Sequence, residues 1–224
     1  LDVANFDVST NRRLGEGPWT VESCGGGLIF VPLCFSTDTP RLVTVRWPDG
    51  RVESFELKPT GNSFFRIFMS AKYVGRPGTT STLLPAPGDE TGGLGADGNM
   101  HAEAFGFGDI YDPQRFVLKA SDGTRYLLDR DLGLVTATDR YGNSVNYTSA
   151  GITSSLGPSL TFGRDLSGRI TTITEPSGSL ISYEYDAAGD LVAVSDQAGE
   201  VTTFAYENGH YLAVIDDAGP GPCR

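Results

Sequence analysis

Carboxylates are the most abundant ionisable groups in this chain: 28 Asp and Glu stand against 17 Lys and Arg and two histidines, His101 and His210. Some occur in pairs. Glu184 and Asp186 alternate along one strand face, Asp129 and Asp131 do the same, and Asp216 adjoins Asp217. A glycosidase needs two carboxyl groups roughly 5–10 Å apart across a sugar. In so acidic a chain such pairs arise freely, and a solvated outer face accounts for Glu184 and Asp186. No G-x-S-x-G elbow, phosphate-binding G-x-x-x-x-G-K loop or H-E-x-x-H pair occurs, and neither histidine has a motif partner. The sequence predicts no catalytic residue and no cofactor.

Metal chemistry has two openings, both weak. Residues 91–100, TGGLGADGNM, match the first six positions of the calcium nonapeptide G-G-x-G-x-D-x-U-x. The match is a single copy, with Asn99 where an apolar residue belongs, whereas adjacent copies share each ion. The 89–100 segment therefore reads as a loop and not as a metal site, and nearby Asp109 and Asp112 do not change that. The three cysteines, Cys24, Cys34 and Cys223, include no C-x-x-C and have only two histidines to join, so zinc is not expected. A Cys24–Cys34 disulfide is open to a secreted chain. Ten residues of fully extended strand would, however, hold the two too far apart.

The spacing of other acids is more regular. Glu175, Asp196 and Asp216 lie 21 and 20 positions apart, and Gly178, Gly199 and Gly219 follow each three positions later. Gly168, Gly189 and Gly209 keep the same intervals. Asp139 and Gly142 open the series. A carboxylate three residues before glycine accepts backbone N–H groups of its own turn, and glycine takes the positive φ that the turn needs. These acids are read as turn formers. Between the turns, Ile181, Tyr183 and Tyr185 share one face of a strand, and Thr202, Phe204 and Tyr206 share it one unit later. Leu160 and Phe162 stand in the same columns of a shortened unit. Stacked copies would build an aromatic ladder, each cross-strand pair adding about 0.2–1 kcal/mol. Such rings also stack on sugars. Tyr183, Tyr185, Phe204 and Tyr206 are thus the candidate carbohydrate-binding residues, with core packing the favoured reading.

The pattern G-x-apolar-x-x-apolar-x-[DE]-x-x-G, followed by an aromatic-x-aromatic strand and Tyr185-Asp186, resembles the RHS/YD repeat over residues 133–219. The resemblance implies an all-β fold of consecutive antiparallel hairpins, stacked as a curved ribbon or part of a β-shell. It further implies a secreted or cell-surface protein whose shell encloses or presents another domain, commonly a toxin. Its partners would be flanking shell segments or that cargo, and possible glycans in an adhesin alternative. The aspartyl self-cleavage core that ends many such shells is not recognisable here.

The totals agree with that class. At 224 residues, 39% hydrophobic and with 29 glycines, the chain suits a turn-rich β protein with a sizeable core. A formal charge of −11 argues against nucleic acid, and no apolar run is long enough for a membrane span. Leu1, without Met or a leader, reads as a processed chain or an excised piece. The Asn146-Tyr147-Thr148 sequon reads as chance. Four regions are expected: 1–39, an N-terminal β segment or cap; 40–132, divergent hairpins with a Pro/Gly-rich loop or insertion at 75–115; 133–219, the repeats; and 220–224, a flexible tail bearing Cys223. Asp49-Gly50 and Asp122-Gly123 mark hairpin turns, with Val43, Val45 and Trp47 on one face. Ser63–Tyr73 reads as a buried strand. Open sheet edges invite self-association unless the N-terminal residues or the insertion cap them.

Overall fold

The computed structural model describes residues 5–26, 31–62 and 68–217. Within them lie 22 strands and one short 3-10 turn at Ala104–Gly106, and the described fold is all-β with antiparallel pairing. The chain divides into two compact units, residues 1–144 and 145–224.

In the first unit the strands are β1 (Asp7–Thr10), β2 (Thr20–Ser23), β3 (Pro32–Ser36), β4 (Leu42–Arg46), β5 (Val52–Leu57), β6 (Thr60–Asn62) and β7 (Phe68–Ser70). After them come β8 (Tyr73–Gly75), β9 (Thr82–Pro85), β10 (Thr91–Leu94), β11 (Met100–His101), β12 (Arg115–Lys119), β13 (Arg125–Asp129) and β14 (Gly133–Thr138). One sheet runs β1-β4-β5-β8 and a second β11-β10-β7-β6-β3-β2, while β9, β12, β13 and β14 are neighbours in that order. Alternation decides what is buried. Val43, Val45 and Trp47 are buried from β4 and its turn, Val43 opposite Phe55 and Val45 opposite Glu53 of β5. Phe116, Leu118 and Leu128 do the same from β12 and β13. Phe6, Trp47 and Tyr126 close one end of this core as three tilted rings within 6 Å of one another.

Several expectations change here. Residues 75–115 are not a structureless loop: they carry β9, β10 and β11, and they contribute Leu83, Met100 and Tyr111 to the core. Nor do residues 1–39 stand apart, because β1 pairs with β4 and β3 with β6. Cys24 and Cys34 form a disulfide with Cα atoms 5.6 Å apart. The objection from strand length fails because the chain doubles back. β2 runs antiparallel to β3, with Glu22 opposite Cys34 and the Cys24 N–H on the Pro32 carbonyl. The Ser63–Ile67 part of the expected buried strand, together with Cys223 and Gly219, falls outside the described residues.

The remaining strands follow one another in chain order: β15 (Ser144–Thr148), β16 (Gly151–Ser154), β17 (Ser159–Arg164), β18 (Ile170–Thr174), β19 (Leu180–Tyr185), β20 (Leu191–Ser195), β21 (Val201–Glu207) and β22 (Tyr211–Asp217). Each pairs with the next in antiparallel register. The expected interior is absent. Among described residues 145–217 only Gly151 is buried, and the aromatic column is half-exposed. Every described apolar residue that is fully buried belongs to the first unit. Within a single sheet a ring is half-buried against its strand neighbours and no more.

Candidate functional site

The ribbon of β15–β22 is built by its turns. Asp165, Glu175, Asp186 and Asp196 each open a turn in which the N–H of the glycine three residues on meets the acid's carbonyl. Gly168, Gly178, Gly189 and Gly199 there have φ between 81° and 98°. The Asp side chains close these turns. Asp186 Oδ1 accepts the N–H groups of Ala188, Gly189 and Asp190; Asp196 accepts those of Ala198 and Glu200; Asp165 accepts those of Ser167 and Arg169. In the first unit Asp139 bonds Tyr141 and Asn143 in the same way, with Gly142 at φ 91°. Glu175 differs: its longer side chain reaches Gln197 at 2.6 Å and leaves Ser177 to hold Ser179. Asp216 lies within β22 opposite Thr203.

The sequence reading took Asp186 for an outward-facing partner of Glu184. Instead β19 ends at Tyr185, and the Asp186 carboxylate turns back on its own backbone. Asp165 and Asp186 obey the same D-x-x-G rule as Asp196; the repeat holds two such turns per unit, and that spacing would have exposed both.

A second periodic feature escaped the sequence entirely. The register shifts at Gly163/Arg164, Glu184/Tyr185 and Ala205/Tyr206, positions 21 residues apart. Such irregularities re-aim a side chain. Here the re-aimed side chain donates to a backbone carbonyl 15 residues earlier each time: Arg164 Nε to Ser149 at 2.7 Å, Tyr185 Oη to Ile170 at 2.9 Å, and Tyr206 Oη to Leu191 at 2.9 Å. The Tyr of the Tyr-Asp pair is therefore a strand-to-strand strut, and Arg164 replaces it in the shortened unit. Arg169 covers the Tyr185 ring at 4.5 Å while bonding Asp165. Phe162, Tyr183 and Phe204 sit opposite Ile173, Val194 and Ile215 in one repeated aromatic–aliphatic pair. Tyr183, Tyr185, Phe204 and Tyr206 are thus brought onto one ribbon, half-exposed.

The other candidate groups are committed to the fold. Asp129 is 5% exposed and takes hydrogen bonds from Arg115, Gln114 and the N–H groups of Asp131 and Leu132. Burial alone would raise its pKa, but those donors outweigh burial and hold it at about 2. Asp97 of the glycine-rich segment binds Asn99 and His101, which keeps its pKa at about 2, and Asn99 Oδ1 accepts the Gly17 N–H. That segment is strand β10 and a tight turn, Gly95–Gly98, rather than an open loop. Among the described residues no group of three or more His, Cys, Asp or Glu could hold a metal ion, and no helix is long and apolar enough to cross a membrane. His210, at the β21–β22 turn, lies 2.6 Å from Asp190; that bond, and then the carboxylate's charge, raise the imidazole pKa.

No curated protein matches the chain. Residues 185–220 match the family model described as RHS Repeat. The matched segment begins at the Tyr185 strut and the Asp186 turn and takes in β20, β21 and β22. Repeat period, turn chemistry and family match meet on the same residues, and they mark residues 185–220 as an RHS-type repeat.

Proposed function

We propose that the chain is a non-catalytic scaffold, a segment of a secreted or surface β-shell that encloses or presents another domain. The observation that carries this reading is the uncovered ribbon. Among the described residues, eight strands succeed one another by one rule, bury no side chain fully, and end on β22 as the last strand of the sheet. Tyr211, Leu212, Val214 and Ile215 of β22 are 51–71% exposed. Such an edge calls for another strand, and such faces suit an element whose second layer is supplied from elsewhere. RHS-repeat proteins are generally extracellular or surface-associated, and the Cys24–Cys34 disulfide accords with an oxidising compartment. Asp129, Asp165, Asp186 and Asp196 are engaged by their own turns and neighbours, which supports a structural role for them. Hydrogen exchange tests the reading. The outward amides of β22 should exchange fast in this chain and slow when it is expressed with its flanking coding sequence; no slowing would sink the shell.

The half-exposure of Tyr183, Tyr185, Phe204 and Tyr206 favours a second reading, an adhesin module that stacks these rings on glycans. Glycan-array binding that disappears in Tyr183→Ala, with Tyr185 still bonded to Ile170, would select it. An array with no hits would remove it.

A further inference from the structure

Three tight segments of the first unit converge around a cavity of about 190 Å³: the Trp47–Gly50 turn, Thr80-Ser81, and the Ala120–Gly123 turn. Its aromatic wall is the Trp47–Tyr126 pair, with ring centroids 5.7 Å apart at 81°. The Arg51 guanidinium carbon lies over the Trp47 ring, 4.1 Å from its centroid, and its side chain stays 41% exposed. Beneath them Glu53 is fully enclosed and fixes Thr80 and Ser81 by accepting their hydroxyls. Ser121 and Asp122 form the far wall; Asp122 is turned by the Thr124 N–H, which with the Thr124 hydroxyl holds its pKa low. Arg51, Thr80, Ser81 and Asp122 are each held by a hydrogen bond to a neighbour.

Charge narrows what such a cavity can take. Arg51 is paired with Asp49 and Glu53, and Asp122, with Arg140 beside it, lines the same cavity. An anion would have to lie against Asp122 and above Glu53; a cation would have to lie against Arg51. A neutral molecule with several hydroxyls fits both, donating to Asp122 and accepting from Arg51. The volume lies below the roughly 300 Å³ at which drug-sized pockets begin, so a single ring or short polyol is the limit.

We infer that this cavity is a binding site for one neutral polyol or monosaccharide unit. The site is independent of the ribbon and does not rest on the shell reading. Saturation-transfer NMR on the whole chain tests it, with glucose, galactose, mannose and myo-inositol as neutral probes and glucuronate and glucosamine as charged ones. The expected result is saturable binding of a neutral probe in preference to both charged ones. Ser121→Phe places a ring in the mouth of the cavity from an exposed turn position and should abolish binding. Asp122→Asn keeps the turn bond and should weaken binding about tenfold or more. A near-UV circular dichroism spectrum like that of the wild type shows that Ser121→Phe is folded; if it is not, Asp122→Asn decides. No saturable binding of any neutral probe, a preference for a charged one, or binding untouched by Asp122→Asn would overturn the site. Binding that is lost in Tyr183→Ala and kept in Ser121→Phe would also overturn it, and would move recognition to the ribbon.

Discussion

The enclosed carboxylate of Glu53 gives the sharpest test of how the first unit is held together. It accepts five hydrogen bonds. Oε1 takes the Thr80 N–H at 2.9 Å, the Thr80 hydroxyl at 2.8 Å and Arg51 at 3.5 Å; Oε2 takes the Trp47 indole at 3.2 Å and the Ser81 hydroxyl. Burial alone would raise its pKa, but the Ser81, Thr80 and Trp47 bonds outweigh burial and lower it. In Glu53→Gln the amide oxygen can keep the Thr80 side, so the amide NH₂ meets two donors. Ser81 can rotate to accept, but the Trp47 N–H cannot. One buried donor left without a partner, plus the lost charge assistance, costs about 3 kcal/mol. For a unit of this size that lowers the melting temperature by about 6–12 °C. Glu53→Ala leaves all five donors without their acceptor and should cost more, about 3–5 kcal/mol. Near-UV circular dichroism follows the melt, with Trp47 as reporter. The sign with pH is fixed: a lowered folded pKa gives stability that is present above the unfolded pKa and lost as pH falls through the folded one. The gap between wild type and Glu53→Gln should therefore narrow below the ordinary glutamate range. A Glu53→Ala protein melting within about 2 °C of wild type would refute the clamp.

The ribbon supports further tests. Tyr185→Phe and Tyr206→Phe each remove one strut and should each cost about 1 kcal/mol, additively because the two sites share no partner; hydrogen exchange in β18–β21 reads both, and a double mutant no worse than either single one would contradict the reasoning. Asp186→Ala should speed exchange at Ala188, Gly189 and Asp190, while Glu175→Ala, which caps no amide, should leave its turn amides unchanged. Reducing Cys24–Cys34 should cost about 2–3 kcal/mol, as expected for so short a loop, measured by urea unfolding with and without reductant. His210 should titrate above the usual histidine range and fall back in Asp190→Asn, as seen by NMR. Its raised folded pKa makes the Asp190 link contribute below the unfolded pKa and fade as pH rises through the folded one.

What could be read in the chain beforehand was whatever depends on near neighbours. The turn at Asp49-Gly50 was legible, as was that at Asp122-Gly123, because a hairpin turn is written in two adjacent residues. The inward set Val43, Val45 and Trp47 was legible because a strand alternates with period two. The aromatic columns of β17, β19 and β21 were legible because the repeat spells them three times. By contrast, the pairing of β1 with β4 brings Val8 opposite Val45 across 37 residues, and nothing local marks it. Strands β9 to β11 are two to four residues long and rich in Gly and Pro, the composition of a loop. They become strands because β12 offers β9 an edge, β7 offers one to β10, and β10 in turn to β11.

The candidate site teaches something different. Acids and tyrosines drew attention as chemistry-bearing types, and in the ribbon both are consumed by the backbone. Asp186 is spent on three N–H groups and Tyr185 on one carbonyl. Arg164 shows why residue type alone misleads. It looks nothing like a tyrosine, yet its guanidinium makes the same bond, 15 residues back, from the same register shift. The shift fixes a direction and a distance, and any long donor satisfies it. What the repeat preserves is thus a geometry of backbone groups to be satisfied, and the ring comes with it. The struts engage only the hydroxyls of Tyr185 and Tyr206, so recognition by this ribbon would draw on ring faces, with Tyr183 and Phe204 the two whose loss leaves the struts intact.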